Sequence, residues 1–367
     1  MIRHDLPSGT IWEGDWLQAP LEGGYTMAEV DGPYALGKAA WDRMNIDSLA
    51  DWYTPHLARL TSLMLPSSTV YLWNTAEGWA RLDPVMRGLG WEFRSLITWV
   101  KAKSSRIVDI HGPDHLRMWP DVTEVCGFYQ REAWALSGCA GSEIAYAAGR
   151  DERNWIRPWL LAEWTRAGMK ARDADSALGT SGMAGHYFHP SQWSLPTWDA
   201  YKKLAAYAEA KGATGVFIKD GFPDLQSTHD HLRAEYSRLR AEYETARPVF
   251  NLPADGVNIW EHGAVSKGER LCGPDGQTLH PCQKPLLFAE RMVQASTRPG
   301  DRIVIPFGGT CRIATYLELL RRMEPENARY HDTCELNQDG KDYLSAVLGR
   351  MGEDSGKAGQ MSLFGAR

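Results

Sequence analysis

The sequence predicts an α/β fold with a doubly wound, mostly parallel sheet and a helical insert. Three observations predict it. Apolar runs of strand length alternate with segments of helical spacing over residues 10–135. The same alternation returns over residues 280–350. The stretch between these segments is mostly helical in pattern and is broken by polar and glycine-rich turns. We therefore expect one sheet assembled from two separate segments of the chain.

The first segment predicts five strands and one helix. The strands are expected at residues 10–12, 26–30, 68–73, 93–100 and 122–129, where short apolar runs are bounded by polar or turn-forming residues. The helix is expected at residues 47–64, because its apolar residues, Leu49 and Leu57 among them, recur three or four positions apart.

The second segment predicts strand, glycine-rich turn, helix and strand in that order. The turn is expected at residues 307–311, between a strand at 302–305 and a helix at 313–322. A further strand is expected at 328–334, and a helix at 285–296, with proline near its start, precedes the group. This order is the dinucleotide-binding βαβ pattern.

The insert predicts short helices at residues 159–168, 171–178 and 181–187. Helices separated by short turns resemble a helix-turn-helix DNA reader, although any small helical bundle gives the same pattern. Residues 232–245 repeat L-R-A-E-Y, and this favours a helix that packs one apolar stripe. Arg233, Arg238 and Arg240 are candidates for contact with DNA phosphates, although a solvated charged face is the usual explanation for such residues.

Composition limits the class of protein. The chain has 367 residues, of which 43% are hydrophobic and 23% charged, as in ordinary globular proteins. The net charge of -6 means that any contact with nucleic acid needs a local basic surface. The six cysteines include no C-x-x-C pair, so no zinc motif or other metal site is predicted. No apolar run is long enough to span a membrane, and we expect a cytoplasmic protein.

Asp31, Gly32, Pro33 and Tyr34 directly follow the strand expected at residues 26–30, and they suit chemistry on an exocyclic amino group. Such a group is a poor nucleophile, because its lone pair is delocalised into the ring of the base. Asp31 and the carbonyl of Gly32 or Pro33 would accept its two N–H groups and make the nitrogen more sp³-like. Tyr34 would stack on a flipped base. The same four residues also fit a plain Gly-Pro turn that Asp31 caps.

A second motif distinguishes these interpretations. Residues 280–312 read H-P-C-Q-K-P, then a helical segment, then R-P-G-D-R-I-V-I-P-F-G-G-T-C-R. With D-G-P-Y upstream, the chain resembles the amino-directed DNA methyltransferases, which modify adenine N6 or cytosine N4. The order of the motifs is that of the permuted subgroup, in which the catalytic motif precedes the cofactor motif. The resemblance implies a Rossmann-like methyltransferase fold that acts on duplex DNA.

The resemblance also implies a role for each matching residue. The target base would be held by Asp31, Pro33 and Tyr34. S-adenosylmethionine would be bound by Phe307, Gly308, Gly309 and Glu335, with Gln283 and Lys284 at the border of its pocket. Glu335 would bind the ribose hydroxyls, as acidic residues at that strand end do in nucleotide-binding βαβ units. Trp99 and Lys101 match a W-x-K motif of the family and would contact DNA.

Several positions depart from the family pattern. Gly32 replaces the first proline of D-P-P-Y, and Ile305 replaces the aspartate before P-F that helps to hold the methionine end of the cofactor. Cys311 and Arg312 replace a Gly-Thr pair. Three outcomes are open: weaker cofactor binding, a modified cofactor or lost activity. Retention of Asp31 favours an active enzyme. The alternatives are an inactive relative that binds DNA, and an RNA or small-molecule methyltransferase.

The expected organisation has four parts: a catalytic half at 1–135, a recognition insert at 136–260, a cofactor-binding half at 261–350 and a flexible tail at 351–367. The tail contains a peptide that resembles the motif by which bacterial proteins bind the replication sliding clamp. Its apolar anchors and the glutamine at the rim are Gln360, Met361, Leu363 and Phe364. Adenine is favoured over cytosine as the target, because adenine enzymes are commoner in this class.

Overall fold

The structure is a computed structural model with two compact units, one made of residues 1–131 and 248–367 and the other of residues 132–247. The residues that it describes are 1–101, 117, 119–131, 155–190, 193–212, 225–253, 256–263, 265, 269–273, 276–280, 282–336 and 343–357. The first unit contains the sheet, and the second is helical. No helix among these residues is long and apolar enough to cross a membrane.

The first unit is built on a sheet with nine strands in the described part of the chain. In chain order they are β1 (Ile2–Leu6), β2 (Gly9–Glu13), β3 (Tyr25–Val30), β4 (Met64–Asn74), β5 (Glu92–Val100), β6 (Thr123–Arg131), β7 (Ile259–Glu261), β8 (Arg302–Ile305) and β9 (Tyr330–Glu335). Their order across the sheet is β1-β2-β9-β8-β3-β4-β6-β5-β7. The central run from β2 to β4 is parallel, whereas β6 pairs antiparallel with both β4 and β5.

Helices of the first unit cover both faces of this sheet. In chain order the α-helices are α1 (Leu49–Leu63), α2 (Ala76–Gly88), α3 (Ile156–Arg166), α4 (Asp173–Leu178), α5 (Met183–Phe188), α6 (Trp198–Ala210), α7 (Leu225–Ala246), α8 (Leu286–Ser296), α9 (Arg312–Met323) and α10 (Tyr343–Lys357). Side chains of α1 and α2 share one core cluster with Val304 of β8, and those of α8 and α9 share another with Ile303 and Ile305. Successive side chains of a strand point to opposite faces, so the doubly wound α/β fold is confirmed.

The sheet has a point at which the direction of chain progression reverses. From β8 the chain passes through α9 to β9 on one side, and from β3 it passes through α1 to β4 on the other. Strands β8 and β3 are parallel neighbours, with Ala28 beside Val304. In open α/β sheets, ligands bind in the crevice at such a switch point, outside the carboxyl ends of the strands. The loops after β3 and β8 are therefore the expected walls of a binding site.

Two predicted boundaries differ from the structure. The helical unit ends at residue 247, whereas the insert was expected to reach residue 260. The reason is that β7 pairs with the end of β5, and Trp260 is buried in the core of the sheet unit. The tail was expected to be flexible from residue 351, but α10 continues to Lys357. Met351 is buried against the neighbouring part of the sheet unit, and this packing carries the helix beyond the predicted end. The clamp-like peptide at residues 360–364 lies outside the described residues.

The second unit has its own hydrophobic core, formed by side chains of the helices from α3 to α7. Leu232 and Leu239 of α7 are buried in this core, while Arg233 and Arg240 on the same helix are exposed. The prediction of one apolar stripe along the repeat is therefore confirmed. Helices α4 and α5 have six residues each. Whether this unit recognises DNA stays a prediction.

Candidate active site

The loop after β3 is held in place by the buried carboxylate of Asp42. This group accepts hydrogen bonds from the backbone N–H groups of Tyr34 (2.7 Å), Ala35 (2.8 Å), Leu36 (3.1 Å) and Lys38 (3.1 Å). Ala35 has a φ of 61°, a left-handed conformation that is unfavourable for a residue with a side chain. The four bonds to one carboxylate hold the loop in that conformation. Sequence reasoning missed Asp42, because its role appears only when the loop folds back on it.

Gly32 allows the loops after β3 and β8 to meet. A Cβ atom at Gly32 would lie 2.6 Å from the hydroxyl of Tyr53 and 3.0 Å from the ring of Phe307. The carbonyl of the next residue, Pro33, accepts hydrogen bonds from the Tyr53 hydroxyl (3.1 Å) and the Asn74 amide (3.4 Å). The glycine that departs from the family pattern is therefore required by its neighbours in this chain. Packing by Tyr53 supplies the rigidity that a second proline would provide.

Asp31 is paired with Lys284, which the sequence analysis placed at the border of the cofactor pocket. The Lys284 ammonium donates to the two carboxylate oxygens of Asp31 at 2.8 and 2.7 Å and to the Tyr34 hydroxyl at 3.1 Å. The Tyr34 hydroxyl in turn donates to Asp31 at 2.7 Å. Burial and the charge of Asp31 raise the pKa of Tyr34 well above its ordinary value, so its hydroxyl stays a donor. Lys284, which lies just before α8, thus contacts the side chains of the loop after β3.

Glu124, at the start of β6, is a second carboxylate next to Lys284. Its Oε2 atom lies 3.2 Å from the Lys284 ammonium, and its Oε1 atom pairs with Lys101. Burial opposes ionisation of Glu124, but Lys284 and Lys101 together lower its pKa below the ordinary value. Because β6 runs antiparallel to β4, its amino end lies at the edge where the parallel strands have their carboxyl ends. Sequence reasoning missed Glu124, because the direction of β6 was not predicted.

Trp99 is not positioned to contact DNA, in contrast to the prediction. Its ring is 4% exposed and packs edge-on against Trp73 and Phe288, and its N–H donates to the His262 carbonyl at 2.6 Å. Side chains alternate along β5, and this alternation directs Trp99 into the core. The residue that was predicted from the W-x-K resemblance therefore has a structural role. Lys101 is partly exposed beside it, and its contact with DNA stays a prediction.

Glu29 is a buried carboxyl group on β3, two residues before Asp31, which follows the strand. Ala28 of β3 pairs with Val304 of β8, and Glu29 and Ile305 are the next residues along these two parallel strands. The family has an aspartate at the position of Ile305 on β8. This chain instead has an acidic side chain, Glu29, on the adjacent strand β3. Burial, assisted by the charge of Asp31, raises the pKa of Glu29 to about 8, and Lys284 acts in the opposite direction. We infer that Glu29 is mostly protonated at neutral pH.

Glu29→Gln is expected to stabilise the protein at alkaline pH. A carboxyl whose folded pKa exceeds its unfolded value binds protons more tightly when folded, so wild-type stability falls as pH rises from about 4.5 to about 8. The neutral amide removes this loss, which these two values put at about 4 to 5 kcal/mol at pH 8.5. Thermal unfolding from pH 5 to pH 9 measures the effect, with the exposed Glu77→Gln as control. Parallel pH curves for wild type and Glu29→Gln would show that Glu29 has an ordinary pKa.

The glycine turn after β8 approaches β9 closely. The Gly308 N–H donates to the Cys334 carbonyl at 2.8 Å, and a Cβ atom at Gly308 would lie 2.6 Å from the Thr333 methyl group. The N–H of Gly309 donates to the Glu335 carboxylate at 2.5 Å. Only glycine fits at position 308 without moving a neighbour. The turn therefore presents bare backbone beside a carboxylate at the end of β9.

Aromatic rings surround this turn. The Phe307 ring lies 5.7 Å from Trp52 and 5.5 Å from His56, measured between ring centroids. On the other side, the His280 ring stacks on Trp41 with 6.0 Å between centroids, and it lies near Gly309. Bare backbone, a carboxylate and flat apolar rings suit a ligand with a ribose and a heterocycle. The residues present therefore fit the nucleoside part of S-adenosylmethionine.

Gln283 and the two residues that replace the family Gly-Thr pair have structural contacts. The buried Gln283 amide accepts from the Leu271 N–H and donates to the Glu269 carbonyl, each at 2.8 Å, so it braces the chain before α8. The Arg312 guanidinium pairs with Glu269. Cys311 has a φ of 51°, which is a glycine-like conformation. A direct contact of Gln283 with the cofactor stays a prediction.

The structure brings the two predicted motifs together at the switch point. Asp31 and Tyr34 follow β3, Phe307 and Gly308 follow the adjacent β8, and Gly32 is in close contact with Phe307. An open α/β sheet with ligand-binding loops at this point defines a nucleotide-binding enzyme fold. Within that class, a sequence profile of the DNA methylase family matches residues 141–325, half of the chain. The chain therefore belongs to this family, the amino-directed DNA methyltransferases; the match includes the glycine turn but not the loop of Asp31.

Solved structures of such enzymes resemble the chain over nearly its whole length. The M1.HpyAVI complex with S-adenosylmethionine is 13% identical, with a TM-score of 0.42, and the match covers 93% of this chain and 98% of that one. The PvuII cytosine-N4-specific DNA methyltransferase is 10% identical, with a TM-score of 0.47 and coverage of 96% and 92%. A putative DNA modification methylase from Thermus thermophilus, complexed with S-adenosyl-L-methionine, is 11% identical, with a TM-score of 0.41 and coverage of 94% and 95%.

Proposed function

We propose that this protein transfers a methyl group from S-adenosylmethionine to the exocyclic amino group of adenine, or less favourably cytosine, in duplex DNA. The observation that carries the proposal is the junction of the two loops at the switch point, where Gly32 meets Phe307. One loop holds a carboxylate and an aromatic ring, and the other presents bare backbone next to Glu335. Membership of the DNA methylase family supports the same substrate class.

The cofactor would supply an electrophilic methyl group bound to a positively charged sulfur. Glu335 would accept hydrogen bonds from its ribose hydroxyls, and the turn from Phe307 to Gly309 would wrap its methionine portion. These contacts need close approach to the backbone, which the glycines allow. The first turn of α9 follows the same loop, and its N-cap residue, Cys311, makes no side-chain hydrogen bond to it.

The target base would leave the duplex to reach Asp31, at a cost of a few kcal/mol of lost stacking. Asp31 accepts one N–H of the amino group. The Pro33 carbonyl is already bonded to Tyr53 and Asn74, so the Gly32 carbonyl is the second acceptor that we propose. The amino nitrogen, held by these two acceptors, would take the methyl group from the sulfur of the cofactor. The nitrogen loses its extra proton to Asp31 and from there to water, so no covalent bond between enzyme and DNA is needed.

The surfaces that would contact DNA and its partners are also proposals. Arg233 and Arg240 present two positive charges on the exposed side of α7, and Lys101 is partly exposed next to the active site. Phosphate contacts of this kind would weaken with salt. The peptide at residues 360–364 has the apolar and polar pattern of a sliding-clamp ligand, and we propose the clamp as its partner.

A methylation assay with product analysis tests the proposal. The purified protein is incubated with labelled S-adenosylmethionine and a plasmid library that contains all short sequences, and the nucleosides are then separated. We expect label in N6-methyladenine, and label in N4-methylcytosine would correct the choice of base. Label in an RNA pool but not in duplex DNA would contradict the substrate class.

An inactive DNA-binding relative is the second candidate, and Ile305 is the observation that favours it. An isoleucine there is buried and offers no charge to the methionine end of the cofactor. Calorimetry with S-adenosylmethionine separates the two candidates. Absence of cofactor binding, together with intact DNA binding, would support the inactive relative and overturn the proposed activity.

A further inference from the structure

Lys284 has two carboxylates within reach but bonds fully to only one of them. An ammonium group has three N–H donors. In Lys284 they point at the two oxygens of Asp31 and at the Tyr34 hydroxyl. Glu124 Oε2 is 3.2 Å from the same nitrogen and forms an ion pair with it, but the geometry is not that of a well-directed hydrogen bond. Lys284 therefore contacts Glu124 less closely than it contacts Asp31.

The same arrangement creates a difficulty for the proposed chemistry. Asp31 must accept a hydrogen bond from the amino group of the base, but Lys284 and Tyr34 already donate to it. A carboxylate neutralised by an ammonium at 2.7 Å in a poorly solvated site is a weaker acceptor. The Lys284 side chain is 7% exposed, so release of its charge into water is not an available response. The ammonium needs a second anion nearby.

We propose that Glu124 is the alternative ion-pair partner of Lys284, and that the ammonium moves its hydrogen bonds from Asp31 to Glu124 when a base binds. The proposal rests on the proposed function for its catalytic meaning. It makes Glu124 a positioning residue, because Glu124 acts on the base only through Lys284. The Trp73 ring, 5.1 Å from the ammonium, and the Tyr34 ring, at 5.4 Å, flank its position.

The charges around Lys284 favour such a movement. Glu124 is held ionised by Lys284 and Lys101, and Asp31 and Glu124 raise the pKa of Lys284 against the effect of burial. The ammonium therefore stays charged beside either partner. Glu29, the third acid near it, has a pKa raised to about 8 by burial, so it is a poor competitor at neutral pH. The exchange keeps the buried ammonium paired, while Asp31 keeps the Tyr34 hydroxyl as a donor and gains an N–H of the base, and this lowers the energetic cost of the movement.

A cycle of variants tests the exchange without any activity assay. Glu124→Gln is made in the wild type and in Asp31→Asn, and thermal midpoints are compared. In the Asp31→Asn protein, Lys284 depends on Glu124 for its ion pair. We therefore expect the decrease in thermal midpoint caused by Glu124→Gln to be at least about twofold larger in this background than in the wild type. The control is Glu92→Gln. The Glu92 side chain is 40% exposed and pairs with Arg94, so its replacement should change the midpoint equally in both backgrounds. Equal losses for Glu124→Gln in the two backgrounds would overturn the proposal.

A kinetic arm tests whether the exchange serves catalysis. In Glu124→Gln we expect the single-turnover rate of methyl transfer to fall about tenfold. Affinities for DNA and cofactor should stay within about twofold, and Glu124→Asp should recover part of the rate. A wild-type rate in Glu124→Gln overturns the catalytic role of the exchange. If the wild-type protein transfers no methyl group to DNA, the proposed function fails, while the midpoint cycle still decides whether Glu124 can replace Asp31 as the ion-pair partner of Lys284.

Discussion

Replacing Asp31 by asparagine is expected to lower methyl transfer to duplex DNA by about 10³-fold. The amide keeps the shape of the side chain, but it is a weaker acceptor for the amino group and cannot take up the proton that the nitrogen releases. Lys284 keeps an anion in Glu124, 3.2 Å away, so the protein should remain folded. Single-turnover kinetics at saturating DNA and cofactor measure the effect.

The affinity for the cofactor distinguishes a specific loss of methyl transfer from a general loss of structure. Asp31 lies on the loop of the base, so affinity for S-adenosylmethionine, measured by calorimetry, should change by less than about twofold. Asp51→Asn is the matched control, since Asp51 is exposed on α1 away from the pocket, and its activity should equal that of the wild type. Wild-type turnover by Asp31→Asn would remove this residue from its proposed role.

Gly308→Ala is expected to lower affinity for S-adenosylmethionine by about 10²-fold. The new methyl group would lie 2.6 Å from the Thr333 methyl and 3.2 Å from the Cys334 carbonyl, and both neighbours are buried. The turn itself must therefore move away from β9, and this displaces the backbone that is proposed to hold the cofactor. Calorimetric titration measures the change in affinity.

The control for this variant is Gly88→Ala at the end of α2. A Cβ atom at Gly88 meets nothing within 4 Å, so cofactor affinity should not change. Circular dichroism of Gly308→Ala at the titration temperature shows whether the protein remains folded. Unaltered affinity in a folded Gly308→Ala protein would place the cofactor elsewhere and would contradict the proposed site.

Much of the fold was predictable because periodicity and turn residues are local signals. The predicted strands at residues 26–30 and 302–305 correspond to β3 and β8, and the helix at 47–64 corresponds to α1. Strand β1 was missed, since its pattern of exposed and partly buried residues gives no apolar run. The mostly parallel sheet was predicted, but which strands run antiparallel was not, because strand direction depends on pairing between distant segments.

The site was predictable to the extent that its chemistry lies in short motifs. Asp31 with Tyr34 and Gly308 with Gly309 each occupy a few consecutive positions, and loops at the carboxyl ends of adjacent parallel strands meet at one edge. Asp42 and Glu124 could not be found in this way. Each carboxylate gains its role from groups that only the folded loop or the antiparallel β6 brings to it.

By itself, the sequence determined the α/β class, the positions of the loops after β3 and β8 and the family, because these depend on local spacing and residue type. Only the tertiary structure decided that Lys284, 253 positions from Asp31 in the chain, bonds to that carboxylate. It also decided that Trp99 faces the core. The physical reason is that strand order and strand direction set which side chains share a buried environment, and neither is encoded in local periodicity.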